Sequence, residues 1–347
     1  MSGPKTQKTI DLLGNAQEPL EESVLVHLSN LTREEQQSLE ATWPSIPLDK
    51  RRRMLSLMSE QAEEDVQLDF TAVFRRGLQD PDESVRRLSV DGLWEDEAIT
   101  LIRPFLTMLR SDPSPLVRAS AATALARFIL QGELGYLTDE RTHEILNTLM
   151  AIIADATLPI AIRRRAVEAI AYSSDERVQK IIARAYEDAS EEMRLSALFA
   201  MGRSADDYWC GVVRAELANP NPAFRFEAVR AAGELADPKA VERLIVLLTD
   251  ADPEVRQMSI WALGQIGGPH AMKALRLIGQ SKNTTLRRLA RDSIAELSLR
   301  DEITPGFVIE SELVDEDEIL DEDGFLREVD FPDDDEAFFE DEDEDDE

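Results

Sequence analysis

The sequence contains few of the residues that build disulfides or metal sites. Cys210 is the only cysteine among 347 residues, and there are three histidines. A single cysteine excludes an intramolecular disulfide, which fits a reducing compartment. His27, His143 and His270 lack metal-ligand spacing, since the helical zinc motif needs a second histidine four residues after the first. We therefore expect no metal and no cofactor, and we interpret Cys210 as an inert, buried thiol.

Long apolar runs are also missing. No stretch approaches the roughly 20 residues that a membrane-spanning helix needs, and the first residues, MSGPKTQKTI, lack the apolar segment of a signal peptide. No glycine-rich loop follows a strand-like segment in the manner of a phosphate-binding site. These absences predict a soluble, cytoplasmic protein without membrane contact, and they give no support to catalysis.

Basic residues are scarce at one end of the chain. The net charge is −32, from 38 basic and 70 acidic residues. Residues 301–347 hold 25 of the acidic residues and one basic residue, Arg327, so this segment carries −24 and the remainder −8. Apolar spots such as Phe338 and Phe339 interrupt the acidic residues, a composition typical of disordered segments that dock on a partner. We predict a disordered acidic tail.

An internal repeat organises the middle of the chain. Arg225, Arg256 and Arg287 lie 31 residues apart in similar contexts, and the frame extends backwards. The repeat arginines are Arg86, Arg118, Arg163, Arg194, Arg225, Arg256 and Arg287. Positions three, four and seven after each arginine are mostly apolar or small, which places them on one helix face. A turn residue, usually Asp or Asn, stands six residues before, so each unit is predicted to be helix, turn, helix.

One stretch carries the repeat with little variation. DPKAVERLIVLLTDADPEVRQMSIWALGQIGGPHAMKAL contains a D-P-x-V-R turn and an A-L-G-x-I-G helix end. In these motifs the chain resembles the HEAT repeat family, in particular the short HEAT-like repeats named after phycobilisome lyases. The resemblance implies an all-α, right-handed α-solenoid, a HEAT/armadillo-like superhelix of about seven or eight helix pairs. It also implies a binding scaffold more often than an enzyme.

The predicted organisation has four parts. They are a disordered N-terminus at 1–17, an N-terminal helical cap at 18–47, the solenoid at 48–300 and the acidic disordered tail at 301–347. Within the cap, Thr32 and Glu35 have the spacing of a capping box. Between Arg118 and Arg163 the spacing is 45 residues, so QGELGYLTDERTHE is interpreted as an insertion that forms a surface loop.

The repeat arginines allow two interpretations. Each can hydrogen-bond the carboxylate or carbonyls of the turns in its own and adjacent repeats, and such charge-assisted bonds contribute about 1.5–3 kcal/mol when shielded. Alternatively, stacked arginines bind phosphate along one face of the solenoid. The solenoid is net acidic and an acidic tail competes for that face, so we favour the structural role and expect no nucleic acid binding.

A second set of positions predicts a binding surface. If positions three, four and seven face the core, positions one and five after each arginine lie on the opposite side of the helix. In the family that the chain resembles, this helix lines the concave groove. The predicted groove residues are Leu195, Phe199, Phe226, Arg230, Gln257 and Trp261. Exposed aromatics beside an arginine are typical of protein-binding hot spots, although the twist of a solenoid can also bury them.

The predicted function is that of a non-catalytic scaffold or adaptor. It is expected to be a monomer that binds another protein in this groove, with a tail that solubilises the protein or modulates binding. Two alternatives stay open. The resemblance implies a phycobilisome-lyase-like enzyme or lyase subunit, which no residue supports independently, and the tail suggests sequestration of a basic protein.

Overall fold

The computed structural model describes residues 3–303, which fold into helices without strands. The α-helices are α1 Pro4–Gly14, α2 Arg33–Thr42, α3 Leu48–Glu64, α4 Thr71–Gly77, α5 Glu83–Asp91, α6 Ile102–Ser111, α7 Pro115–Glu133, α8 Asp139–Ala154, α9 Ile160–Ile170, α10 Glu176–Tyr186, α11 Glu191–Arg203, α12 Cys210–Glu216, α13 Pro222–Glu234, α14 Val241–Leu247, α15 Pro253–Ile266, α16 Gly268–Ile278 and α17 Thr284–Ile303. Short 3₁₀ helices are Glu22–Leu28, Trp43–Ser45, Ile99–Leu101, Asp207–Trp209 and Pro238–Ala240.

The chain divides into two compact units, Met1–Val178 and Gln179–Glu347, with the boundary inside α10. In unit 1 the helices α3, α5, α7 and α9 pack side by side, and in unit 2 the helices α11, α13, α15 and α17 do so. The intervening helices pack against them as a second layer. This arrangement confirms the predicted all-α solenoid of helix pairs. The tail predicted at 301–347 lies outside the described residues beyond Ile303.

The buried seam between the two layers follows the repeat pattern. In α13 these positions, which follow Arg225 by three, four and seven residues, hold Ala228, Val229 and Ala232. Each of these side chains is 0% exposed. Burial of such a face supplies most of the stability of a packed helix, at about 25 cal/mol per Å² of apolar surface removed from water.

A helix occupies the N-terminal segment that the sequence predicts to be disordered. α1 begins with Pro4 in its first turn and buries Ile10 and Leu13 against α2 and the neighbouring 3₁₀ helix. At its other end the Lys50 ammonium donates to the carbonyl of Asn15 at 2.8 Å. Two apolar residues three positions apart are too few to reveal a period. The predicted disorder at 1–17 is therefore wrong for Pro4–Gly14.

The predicted cap at 18–47 contains the expected second helix, α2. The backbone N–H of Glu35 donates to the Thr32 hydroxyl at 3.4 Å, and the Glu35 carboxylate accepts the Thr32 backbone N–H at 2.9 Å, which confirms the capping box. Trp43 is 1% exposed, and its Nε1 donates to Asp80 Oδ2 at 2.7 Å. The cap is thus tied to the turn of the first well-formed repeat.

The predicted insertion adds helical turns rather than a surface loop. α7 runs for 19 residues and α8 for 16, so most of QGELGYLTDERTHE lies within these two helices. Gly135, at φ 77°, ends α7, with Tyr136 N–H donating to the Gln131 carbonyl at 2.8 Å as in a Schellman motif. The loop prediction is wrong because spacing shows only how many residues are added. It does not show whether they continue a helix.

Candidate protein-binding surface

The repeat arginines join the turns of successive repeats. Arg225 donates from Nε and Nη2 to both carboxylate oxygens of Asp250, at 2.8 and 2.6 Å. Its Nη1 donates to the carbonyls of Asn219 and Pro220 at 2.9 and 3.1 Å. Burial acts to raise the pKa of Asp250, but the bonds from Arg225 and from the backbone N–H of Asp252 leave it below its usual value.

Five of the other six repeat arginines donate to backbone carbonyls of their own turn or of the preceding helix. Arg86 forms a bidentate pair with Asp112, with both distances 2.8 Å. Arg256 and Arg287 donate to the carbonyls six residues before them, at 2.7 and 3.0 Å. Arg118 and Arg163 donate to carbonyls in the preceding helices, at 2.9 and 3.1 Å, and Arg194 lies over the Phe224 ring at 5.2 Å. These contacts hold the guanidinium groups against other parts of the protein, which supports a structural role.

Glycines set the spacing of the arginine-bearing helices in unit 2. Gly202, Gly233 and Gly264 recur eight residues after Arg194, Arg225 and Arg256. A Cβ at Gly202 would lie 2.7 Å from Ala231 Cα, and a Cβ at Gly233 would lie 3.0 Å from Ala262 Cα. Neither neighbour is a flexible side-chain end, so glycine permits this close approach. The predicted groove residues therefore lie on three closely packed helices, α11, α13 and α15.

The apolar groove residues are neither fully exposed nor fully buried. Leu195 and Phe199 on α11, Phe226 on α13 and Trp261 on α15 are half-buried, as is Gln257 on α15. A Cβ at Gly233 would meet the Trp261 ring at 2.7 Å, so this indole lies across α13. Most of each aromatic surface is thus fixed by packing and a smaller part stays accessible to solvent, a state that costs little ordering entropy when a partner binds.

Arg230 differs from its predicted place. The sequence predicts an exposed cation among the aromatics, whereas Arg230 is only 9% exposed. Its guanidinium lies 4.0 Å from the centroid of the Phe199 ring, a short cation–π contact. It also donates to Glu227 at 2.9 Å and to Glu234 at 2.6 Å. The side chain lies along its own helix between these carboxylates, which is why it is buried.

The structure adds charged residues to this surface that the repeat positions do not predict. Arg203 lies 5.5 Å from the Phe199 ring centroid and 3.2 Å from Glu234 Oε1. Phe199 therefore lies beside two guanidinium groups, which share Glu234. The signal was present in the sequence, because Glu227, Arg230 and Glu234 are three and four residues apart, the spacing of neighbours on a helix.

The described residues show little of the chemistry of a catalytic or metal site. Burial raises the pKa of the Cys210 thiol, helped by Asp237 and Asp207, which is the opposite of nucleophile activation. Within residues 3–303 no three His, Cys, Asp or Glu side chains group in a way that could hold a metal ion. In the same part of the chain, no helix has both the length and the apolar character for crossing a membrane.

Comparison with family models decides the repeat type. A model described as HEAT repeats matches residues 212–295, and a model described as HEAT repeat matches residues 101–131. The chain contains HEAT repeats. The HEAT match at 212–295 spans α13 and α15, the helices of Phe226, Arg230, Gln257 and Trp261. A comparison with curated proteins gave no match.

Several solved structures are similar to the chain. Human deoxyhypusine hydroxylase is 18% identical, with 85% of this chain and 97% of that chain covered and a TM-score of 0.34. A complex of CpcE and CpcF of phycocyanin lyase from Nostoc sp. is 16% identical, with 67% and 92% covered and a TM-score of 0.48. Yeast importin-beta is 11% identical, with 85% of this chain and 46% of that chain covered and a TM-score of 0.48.

Proposed function

We propose that the chain is a non-catalytic scaffold that binds another protein on the surface formed by Leu195, Phe199, Phe226, Gln257 and Trp261. The observation that carries this proposal is the row of half-buried aromatic side chains on three adjacent helices, with charged groups beside Phe199. Aromatic and arginine side chains dominate the energetics of protein interfaces. Stacked repeats present such residues along an extended surface.

The contacts of Arg203, Arg230 and Glu234 suggest a different role in binding for each arginine. Arg230 is neutralised by two carboxylates, so it holds the Phe199 ring in place and does not attract a partner over long distances. Arg203 is exposed and shares Glu234 with Arg230. We therefore assign apolar affinity to Phe199, Phe226 and Trp261, and orientation of an acidic or carbonyl group of the partner to Arg203.

The two alternatives make different demands on the residues. A lyase-like enzyme needs a reactive group near a pigment, and the raised pKa of the Cys210 thiol does not favour it as a nucleophile. Sequestration by the acidic tail needs no aromatic row. It predicts a partner affinity that depends on residues 304–347 and falls steeply with salt.

Quantitative capture from the native lysate tests the proposal. The Phe199→Ala/Trp261→Ala double variant should lose the partner that the wild type captures, by about tenfold or more, since interface hot spots contribute roughly 2 kcal/mol or more each. Tyr208→Ala/Val246→Ala is the matched control, because both side chains are exposed apolar groups of unit 2 outside the aromatic row. This control should capture the partner normally.

A third variant separates binding from folding. Gln257→Glu adds a charge at a half-buried position without removing an aromatic ring, so it should weaken capture while circular dichroism and the melting temperature stay unchanged. Unchanged capture by both groove variants, with loss on removal of residues 304–347, would support tail sequestration instead. Bilin transfer to an apo-phycobiliprotein by the purified chain would support the lyase alternative.

A further inference from the structure

The last helix pair of unit 2 carries a cluster of basic side chains. The segment 268–300, which spans α16 and most of α17, contains seven basic residues and two acidic ones, Asp292 and Glu296. Its basic residues are Lys273, Arg276, Lys282, Arg287, Arg288, Arg291 and Arg300. By contrast, residues 179–267 of the same unit hold ten basic and 14 acidic residues. The positive charge is therefore local to this end of the unit.

Most of these cations are exposed and lack a carboxylate partner among the described residues. Lys273, Arg276, Lys282, Arg288 and Arg291 are exposed, and no ion pair joins any of them to a carboxylate in residues 3–300. Several arginines of the preceding repeats behave differently, since Arg203, Arg214 and Arg225 pair with Glu234, Asp237 and Asp250. A group of unpaired positive charges at a surface favours binding of an acidic ligand.

At two positions the same helix pair lacks the buried apolar residue that the preceding repeats have. Four positions after the repeat arginine, α11, α13 and α15 have Leu198, Val229 and Ile260, which are at most 1% exposed, whereas α17 has the exposed Arg291. At the end of α16, Gly279 takes the place of the buried Leu217 and Leu248 of α12 and α14. The stem of Arg291 lies over Gly279, 3.9 Å from an added Cβ. The last helix pair thus presents a charged side chain and a glycine where the preceding repeats have buried apolar side chains.

We propose that the acidic segment 304–347 of the same chain docks on this basic end, which comprises Lys273, Arg276, Lys282, Arg288 and Arg291. The segment holds 23 acidic residues and one basic residue and follows α17 directly. A polar end that only prevents stacking needs no particular sign of charge. A basic end next to an acidic segment supplies charge complementarity and a high effective concentration at once.

The chain length allows this contact. From Ile303 back to Arg291 is 12 residues of helix, or roughly 18 Å at the helical rise. About six extended residues cover that distance, and Glu310 and Glu312 open the acidic run seven residues after Ile303. Asp292 and Glu296 are the carboxylates within 268–300 that repel the segment, and Glu296 accepts a hydrogen bond from the Gln265 amide at 3.5 Å.

Zero-length carbodiimide cross-linking of the full chain tests the contact, because it joins a lysine amine only to a carboxylate that touches it. We expect Lys273 and Lys282 to couple to carboxylates of 304–347, while Lys180 and Lys239, which are equally exposed in unit 2, couple much less. Coupling should fall as salt rises from about 0.1 to about 1 M, since the screening length shrinks from about 10 to about 3 Å. Equal coupling of all four lysines would overturn the proposal.

A charge-reversal variant and a mixing experiment complete the test. Arg276→Glu/Arg288→Glu/Arg291→Glu should lower the yield at Lys273 and Lys282 roughly tenfold, because each exposed pair is weak but the charges act together. The control Arg184→Glu/Lys239→Glu/Arg243→Glu, at exposed and unpaired positions elsewhere in unit 2, should leave the yield unchanged. Cross-links that join isotopically heavy and light chains in a mixture would show that a second copy supplies the acidic segment, contrary to the proposal.

Discussion

Arg225 shows how a single residue links two repeats. Its guanidinium bonds both oxygens of Asp250 in the next turn and two carbonyls of its own turn. Its side chain is 14% exposed and that of Asp250 is 8% exposed, so solvent screens the pair only weakly. A planar fork with several donors is needed for this geometry, and a lysine ammonium cannot reproduce it.

We expect Arg225→Lys to lower the free energy of unfolding by about 2 kcal/mol, because it leaves the Asp250 carboxylate only partly bonded in a shielded site. Arg243→Lys should change stability by less than about 0.5 kcal/mol, since this residue is exposed and unpaired among the described residues. Urea unfolding followed by circular dichroism measures both. Equal stability of the Arg225 variant and the wild type would show that the repeat arginines do not hold the turns together.

Glu35 gives the cap a dependence on pH. The Thr32 backbone N–H bond is the largest cause that lowers its pKa, and against the opposing effect of burial the Gly3 N–H and the Thr32 hydroxyl help to bring it from 4.5 to about 2. A carboxyl whose pKa is lowered in the folded state stabilises the protein at any pH above its unfolded-state pKa. That contribution is lost as the pH falls through the folded-state pKa.

Glu35→Gln should therefore destabilise the cap at neutral pH by about 1 kcal/mol, since an uncharged amide accepts weaker hydrogen bonds. The difference from the wild type should shrink as pH falls from about 4.5 towards 2. Melting temperatures of the two chains across that range measure the effect. A difference that stays constant down to the lowest pH would mean that the Glu35 charge does not contribute.

At the scale of the helix, the spacing of α11, α13 and α15 depends on the glycines eight positions after each repeat arginine. Gly233 lies in contact range of the Trp261 ring and the α15 backbone, whereas Gly211 in α12 has open space where a Cβ would lie. The same substitution at these two positions thus has opposite consequences, although alanine is the better helix former at both.

We expect Gly233→Ala to destabilise the chain by about 1–3 kcal/mol, because the added methyl forces α13 and α15 apart. Gly211→Ala should be neutral or stabilise by up to about 1 kcal/mol. Thermal or urea unfolding distinguishes the two. Stabilisation by both substitutions would show that α15 moves away freely and that the glycine does not set the spacing of the surface.

Helices in which apolar residues recur at helical spacing over several turns could be predicted from the sequence. Helices without such a pattern could not. The helices from α5 to α17 that carry the repeat arginines follow from the arginine frame, and the α2 capping box follows from Thr32 and Glu35. α1 was missed because Ile10 and Leu13 are its only large buried apolar residues. The surface residues could be placed on a helix face, but the burial of Arg230 depends on the Phe199 ring of α11, which no spacing within α13 reveals.

At the scale of the whole molecule, the HEAT repeats, the aromatic row and the acidic segment make separate contributions. Within each unit the repeats supply a layer of arginine-bearing helices, and the row on α11, α13 and α15 supplies the proposed binding surface. The basic end of α16 and α17 gives the acidic segment a proposed site of its own, on the helix pair that follows α15. The two proposals can therefore fail independently, because Phe199 and Trp261 belong to one and Arg288 and Arg291 to the other.

The most direct measurement of the central claim is hydrogen–deuterium exchange of the full chain with and without its captured partner. The proposed surface predicts that binding slows exchange in α11, α13 and α15, and that α12 and α14 in the opposite layer keep their rates. Slower exchange confined to α12 and α14, or to the acidic residues after Ile303, would contradict the assignment of the aromatic row as the binding surface.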